Sequence, residues 1–327
     1  MASAEQLKAL LKSFIDDDDP HFMAVAMQVA AHEAKLGHGK LAQELRDLID
    51  EAKIRKSGNL QSRKLIPIAQ PRGELSSLLS VIYPKQRLSD MVLDEHIQNR
   101  IERLIKEYRQ LARLRAHGLG PRRKLLLIGP PGTGKTMTAR AIAGELGLPQ
   151  FEVRLDSLIT KFMGETASKL RLIFDSLAQV RGVYLFDEFD SIGFKRTSNN
   201  DVGEIRRVLN SFLQLIEQDN SDSIIIAATN HVEVLDRALF RRFDDVIEFT
   251  IPDAQLIISL FKNRLAGFAK PNLAWSRLAE AGQGFSYADL ARASEDAIKD
   301  AIIHDRRQVD EDDVIKMLHE RMAYRQS

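Results

Sequence analysis

The chain has 327 residues, 44% of them hydrophobic and 28% charged, which is enough apolar material for a large α/β core with one or two small helical domains. Its 47 basic and 46 acidic side chains nearly cancel, leaving a net charge of +1, whereas a dedicated duplex-DNA binder normally carries a basic excess on its binding domain. With no cysteine, disulfides and thiolate zinc sites are excluded; no stretch has the length and apolarity of a membrane span or the pattern of a secretory leader, so a soluble, cytoplasmic protein is expected.

From the N-terminus, Ser3 and Gln6 make a capping pattern ahead of Leu7, Leu10, Leu11 and Phe14 at helical spacing. Asp16–Asp19 and Pro20 close that helix and open a second through Met23, Val25, Met27, Val29 and Ala30. Leu41, Leu45, Leu48 and Ile49 mark a third. Residues 1–55 are therefore expected to form a small helical domain. Residues 56–86, broken by Gly58, Asn59, Pro67, Pro71 and Gly73, read as a linker in which Ile66, Ile68, Leu78 and Leu79 point to partial docking on a surface. A long helix is expected over 87–117, from Ile97, Ile101, Leu104, Ile105 and Tyr108. Strands at 124–128, 150–153, 183–186, 223–227 and 246–249 then accompany helices at 136–146, 167–177 and 203–218. Near-continuous apolar strands among helices predict a parallel sheet covered on both faces, an α/β large domain over 87–252. Residues 253–327 have no strand pattern and are expected to be helical.

The sequence Gly129-Pro130-Pro131-Gly132-Thr133-Gly134-Lys135-Thr136, followed by Met137, leaves an apolar strand and opens a helix. Glycines there let backbone N–H groups curl toward phosphate oxygens, and the helix N-terminus adds partial positive charge. Lys135 suits the β- and γ-phosphates, and the Thr136 hydroxyl suits Mg²⁺. Val183–Phe186 ends in Asp187 and Glu188. Carboxylates at the end of a buried strand are costly unless used. Asp187 can share the metal with Thr136, and Glu188 can polarise a water for attack on the γ-phosphate. A simple strand-end cap would explain either acid alone.

Together, Gly129–Thr136 and Asp187–Glu188 resemble the Walker A and Walker B motifs of AAA+ ATPases. The resemblance covers about residues 87–300. It implies ATP with Mg²⁺, a P-loop core with strand order 5-1-4-3-2, a C-terminal helical lid over 253–327, and a homo-oligomeric ring, usually a hexamer, with ATP at the subunit boundaries. Asn230, after Ala227-Ala228-Thr229, falls at the family's sensor-1 position, which helps place the attacking water; a turn-forming Asn is the plainer reading. The segment Leu235–Asp244 is similar to the second region of homology of AAA proteins proper. It lacks the Pro-Gly that many members place between two arginines, so Arg241 and Arg242 are adjacent, as in spastin- and katanin-like members. The resemblance implies that both are arginine fingers reaching a neighbouring subunit's γ-phosphate; a local ion pair with Asp244 or Asp245 is the alternative. Lys161, Phe162, Met163 and Gly164 resemble the first pore loop of AAA unfoldases and translocases, although Phe162 could also pack locally. Residues 197–204 fit a second pore loop and an ordinary loop equally. Gly284–Leu290 resembles the sensor-2 region, where the family usually has Gly-Ala-Asp, so Tyr287 is a departure. Ala288 is the implied neighbour of the nucleotide, with no Arg at the usual sensor-2 place. Met91 and Val92, after Asp90, resemble the segment that holds the adenine.

Three functions follow as expectations. The first is a ring machine that remodels, unfolds or threads a protein client through its pore, recruited by the N-terminal helices. The second is a nucleotide-switched regulator of a partner enzyme, similar to bacterial AAA proteins paired with a subtilisin-like serine protease in defence systems. A nucleic-acid motor or loader is the third, and the charge balance counts against it. The eight histidines are scattered, and His32-Glu33 with His38 lacks the i, i+4 spacing of a zinc helix.

Overall fold

The computed structural model describes residues 25–27, 29–30, 32, 42–43, 71–158, 163–190, 201–232 and 237–326, with backbone alone at 163–164, 201–207, 237–238 and 323–326. The chain divides into two compact units, Met1–Ile68 and Ala69–Ser327. In the first unit every described position is helical, and Val25, Val29, Ala30 and Ala42 are buried.

The second unit begins with a single helical turn, α1 (Leu75–Leu78), and a short strand, β1 (Leu79–Ile82). Leu78 and Leu79 are buried, so this part of the stretch expected as a linker is packed on the core. A 3₁₀ turn over Leu88–Asp90 follows, at the start of the stretch expected to be mostly helix. Helix α2 (Glu95–Arg109) starts only at Asp94, whose carboxylate accepts the N–H of His96 at 2.9 Å, and α3 (Leu111–Ala116) is a separate short helix. Then come β2 (Lys124–Ile128), α4 (Lys135–Leu146), β3 (Gln150–Val153), α5 (Leu155–Leu158), α6 (Met163–Gln179), β4 (Val183–Phe186), α7 (Asp201–Gln218), β5 (Ile224–Thr229), α8 (Arg237–Phe240) and β6 (Asp245–Glu248).

The strands form one six-stranded sheet in the order β1-β3-β4-β5-β2-β6. All neighbours are parallel except β1, which runs antiparallel to β3 with Leu79 opposite Val153 and Ile82 opposite Gln150. The order therefore differs from the expected 5-1-4-3-2 by an added edge strand beside β3. Four residues between Gly73 and Pro84 are too few to show a period in sequence; pairing with β3 supplies their backbone partners. Strands β4 and β5 are buried at every position, as a sheet covered on both faces requires. One face packs against α6 and α7, where Phe174, Phe186, Phe189 and Phe212 stack edge-on or tilted with centroids 4.6–6.1 Å apart. Helix α4 lies against β3, β4 and β5, with α2 packed on it.

The last four helices are α9 (Ala254–Arg264), α10 (Trp275–Ala281), α11 (Tyr287–Ile303) and α12 (Glu311–Gln326). They enclose their own core, including Leu260, Phe261, Leu278, Phe285, Leu290 and Leu318. Ser286 caps α11: its hydroxyl accepts the N–H of Asp289 at 3.2 Å while the Asp289 carboxylate accepts the Ser286 N–H at 3.3 Å. That cap decides where α11 begins, and its first turn faces the glycine-rich loop. No helix of the described residues is long and apolar enough to cross a membrane.

Candidate nucleotide site

The loop between β2 and α4 is held in a shape that only glycine tolerates. Gly129, Gly132 and Gly134 have φ of 140°, 75° and 104°. A Cβ on Gly129 would lie 2.1 Å from the Phe249 carbonyl oxygen, and one on Gly132 would lie 2.5 Å from the Ser286 hydroxyl. The loop is thus wedged between β6 and the start of α11. Its Gly132 carbonyl also accepts the backbone N–H of Ala288 at 3.0 Å, a direct link between loop and lid.

Lys135, the first residue of α4, is 6% exposed. Its ammonium donates to the carbonyls of Gly129 at 2.7 Å and Pro130 at 2.8 Å and to Asn230 Oδ1 at 2.8 Å. Burial holds this ammonium below the usual lysine range, while Asp187 and Asp190 pull it the other way. Thr136 donates its hydroxyl to Asp187 Oδ2 at 2.6 Å. Hydroxyl and carboxylate oxygens side by side are the hard donors that Mg²⁺ takes. Asp187 Oδ1 accepts the N–H of Glu188 at 3.0 Å. Glu188 itself has φ 49°, a left-handed conformation rare outside glycine, and its side chain is exposed at the cleft.

These residues line a cleft of about 550 Å³ between the sheet domain and the lid. The loop from Pro131 to Met137 makes its floor, with Asp187, Glu188 and Asn230 along one side. Met91, Val92 and Ala288 are also in its wall, so the segments expected around the base and at sensor 2 reach the same cavity. Several lining residues were not legible in sequence: Arg140 from α4, and Leu260, Asn263 and Arg264 from α9; Tyr287 and Arg292 enter from α11, Tyr287 in the stretch that resembles sensor 2. Arg140 has a buried Nε without a hydrogen-bond partner. Tyr287 stands where the family pattern has Gly; burial, with Asp253 and Asp94 nearby, pushes its phenol up to about 12. A glycine-rich cradle, a buried lysine, a paired hydroxyl and carboxylate, and a free carboxylate make a site that can hold a nucleoside triphosphate and activate water beside it.

The sequence comparisons agree with that chemistry. The family model described as "ATPase family associated with various cellular activities (AAA)" matches residues 125–251, from β2 through the end of the sheet. An uncharacterised AAA family ATPase of Sinorhizobium fredii, y4kL, is 37% identical over 98% of this chain and 96% of its own length. The chain belongs to the AAA family. It is an ATPase, hydrolysing ATP. The FtsH 4 of Sphaerobacter thermophilus, an ATP-dependent zinc metalloprotease, is 34% identical over 65% of this chain and 34% of its own length. The proteasome-activating nucleotidase of Saccharolobus solfataricus is 34% identical over 67% of this chain and 60% of its own. The chain thus spans nearly all of the Sinorhizobium relative but only about a third of the FtsH one.

Arg241 and Arg242 are exposed and outside the cleft lining. Arg242 pairs with Glu217 of α7, not with Asp244 or Asp245. Those two aspartates are engaged on the sheet: Asp244 accepts the N–H groups of Arg123 at 2.9 Å and Lys124 at 3.0 Å, and Asp245 pairs with Arg100. Lys161 and Phe162 fall outside the described residues, as do 197–200. Met163 and Gly164 belong to the first turn of α6, which starts earlier than the helix predicted from residue 167.

Proposed function

We propose that this AAA ATPase is one subunit of a ring, expected to be a hexamer, that couples ATP hydrolysis to the remodelling or threading of a protein client. The observation that carries the reading is the place of two adjacent arginines. The cleft contains the lysine, both strand-end carboxylates and Asn230, with Arg140, Arg264 and Arg292 also in its wall, while Arg241 and Arg242 stand exposed outside it. Charge develops on the γ-phosphate during transfer, and a guanidinium supplied from a neighbour is a standard way to stabilise it. In this scheme Thr136 and Asp187 would hold Mg²⁺, which would supply neutralisation of phosphate charge. Lys135 and the loop N–H groups bind the phosphates, Glu188 accepts the proton of the attacking water, and Asn230 orders that water. Met91, Val92 and Ala288 flank the adenosine.

Two relatives, an ATP-dependent metalloprotease and a proteasome-activating nucleotidase, bear names that join ATPases to proteolysis, which supports a polypeptide client over a nucleic acid. The charges of α2 and α3 point the same way. Arg100, Arg103, Lys106, Arg109 and Arg115 are each paired with an acid, Arg113 being the exception, so most of this arginine-rich stretch is not a free basic surface. The helical N-terminal unit is proposed to recruit the client.

Sharing of sites between subunits is tested by mixing. Arg241→Ala/Arg242→Ala and Lys135→Ala proteins should each be inactive alone, because one cannot complete a neighbour's site and the other cannot fill its own. Mixed, they should regain a fraction of wild-type turnover, since some interfaces join an intact loop to intact arginines. No recovery in rings shown to contain both variants would remove the shared-site reading. Threading is tested separately by Phe162→Ala, which should keep ATPase activity within about twofold and lose client remodelling by tenfold or more, a difference of roughly 1.4 kcal/mol in coupling. Unchanged remodelling would refute the pore. Intact nucleotide-dependent control of a partner enzyme in the same variant would favour the switch reading.

A further inference from the structure

Asp190 is a carboxylate that sequence patterns do not single out, two residues after Glu188. It is 8% exposed, and burial of a carboxylate is costly unless hydrogen bonds compensate it. Among the described residues its bonds run to one place. Asp190 Oδ1 accepts the hydroxyl of Thr229 at 2.8 Å and the backbone N–H of Asn230 at 3.4 Å. Thr229 is 1% exposed, and its oxygen in turn accepts the N–H of His231 at 3.0 Å. The neighbouring Phe189 N–H donates to the Ala228 carbonyl at 2.8 Å. The end of β5 is therefore stitched to the chain leaving β4 at Ala228, at Thr229 and at the backbone N–H of Asn230 itself. Asn230 Oδ1 is the atom that meets the Lys135 ammonium.

We infer that Asp190 and Thr229 form a clamp that fixes Asn230 relative to Glu188 and Lys135, and that both are positioning residues for ATP hydrolysis. Neither belongs to the loop that grips the phosphates, so the clamp acts on turnover and not on ATP affinity. Misplacement of a water-ordering group by about 1 Å can cost roughly a hundredfold in rate. The buried charge is what makes the clamp stiff, because a hydroxyl bonded to a carboxylate is held about twice as strongly as one bonded to a neutral acceptor. The inference rests on the water-ordering role proposed above for Asn230.

The test is steady-state ATPase kinetics, with binding of a fluorescent ATP analogue, on Thr229→Val, Thr229→Ser, Asp190→Asn, the Asp190→Asn/Thr229→Val double variant and Asn230→Ala. Thr229→Val should lower kcat by about tenfold or more while KM and analogue affinity stay within about threefold, and Thr229→Ser should recover most of the rate. The double variant should be no slower than the worse single one, because both changes act on the same Thr229–Asp190 contact. Wild-type kcat in Thr229→Val, a raised KM with kcat retained, or losses that multiply in the double variant would each overturn the clamp. If Thr229→Val lacks a cooperative melting transition, the same split of kcat from KM in Asp190→Asn decides the matter. Normal turnover in Asn230→Ala would sink the Asn230 reading itself, whereas a slow Asn230→Ala beside a fast Thr229→Val sinks the clamp alone.

Discussion

Replacing Lys135 with Ala is expected to weaken ATP binding by at least about a hundredfold and to abolish ATP turnover. The size follows from what surrounds the ammonium. Three oxygens converge on it, from Gly129, Pro130 and Asn230, at 2.7–2.8 Å. Removal strands those acceptors in a site where Lys135 is 6% exposed, and it also deletes the charge that would meet the phosphates. Hydrogen bonds to charged groups contribute about 1.5–3 kcal/mol each, so losing two phosphate contacts corresponds to roughly 10²–10⁴ in affinity. Sign matters for pH as well. Burial lowers the lysine's pKa, and a bound phosphate must raise it. ATP binding at alkaline pH should therefore take up protons, and affinity should fall as pH rises toward the lysine range, sooner than an ordinary exposed lysine would dictate. Calorimetry in buffers of different ionisation heat measures the uptake, and the ATP-induced rise in melting temperature reports binding in the variant. An undiminished thermal shift in Lys135→Ala would show that the loop binds without its lysine.

How much of this was visible in the residues depends on distance along the chain. The loop Gly129–Thr136 and the pair Asp187–Glu188 were legible because each is a local pattern: glycines at three left-handed positions, and two acids ending a buried strand. The parallel sheet was legible from strands buried on both faces. Strand β1 was not, because four residues beside β3 gain their meaning from pairing and not from period. Asp190 escaped for a different reason. Its neighbour Thr229 is thirty-nine positions away, and only the parallel pairing of β4 with β5 brings them together. Arg264 and Asn263 likewise reach the cleft through the packing of the lid, and nothing local in α9 announces a nucleotide. For Arg242 the alternative of a local ion pair named the wrong acid: its partner is Glu217 of α7, while the fold uses Asp244 and Asp245 to hold β2 and α2.

The link between loop and lid joins these scales. Ala288 N–H bonds the Gly132 carbonyl, and the Ser286 side chain fills the space a Cβ would take on Gly132. Any shift of the loop on binding ATP must therefore be felt at the first turn of α11. That helix packs on α9 and α12, so the whole lid core is mechanically tied to the phosphate site. Such an arrangement can turn a change in nucleotide into a rotation of one subdomain on the other, the movement a remodelling machine needs.

Glu188→Gln should bind ATP as well as the wild type and hydrolyse it about 10²–10⁴ times more slowly, the range expected on losing a general base. Gln keeps the shape and leaves the surrounding contacts in place. Asp187 still pairs with Thr136 at 2.6 Å, and its other oxygen still accepts the N–H of residue 188 at 3.0 Å. Only the ability to take a proton is lost. The backbone argues that this position was chosen for its side chain. At φ 49° a non-glycine residue costs of order 1–3 kcal/mol, and glycine would remove that strain. Glu188→Gly should therefore melt no lower than the wild type yet share the turnover defect, separating stability from chemistry at one residue. The kinetic comparison is kcat at saturating ATP, with affinity measured by analogue binding. If Glu188→Gln kept wild-type turnover, the base would have to be sought elsewhere in the cleft. If it lost ATP binding instead, residue 188 would belong to the phosphate cradle. A slow enzyme that holds ATP tightly is the outcome the geometry requires, and in a ring with shared sites it is also the form in which subunits should stay together longest.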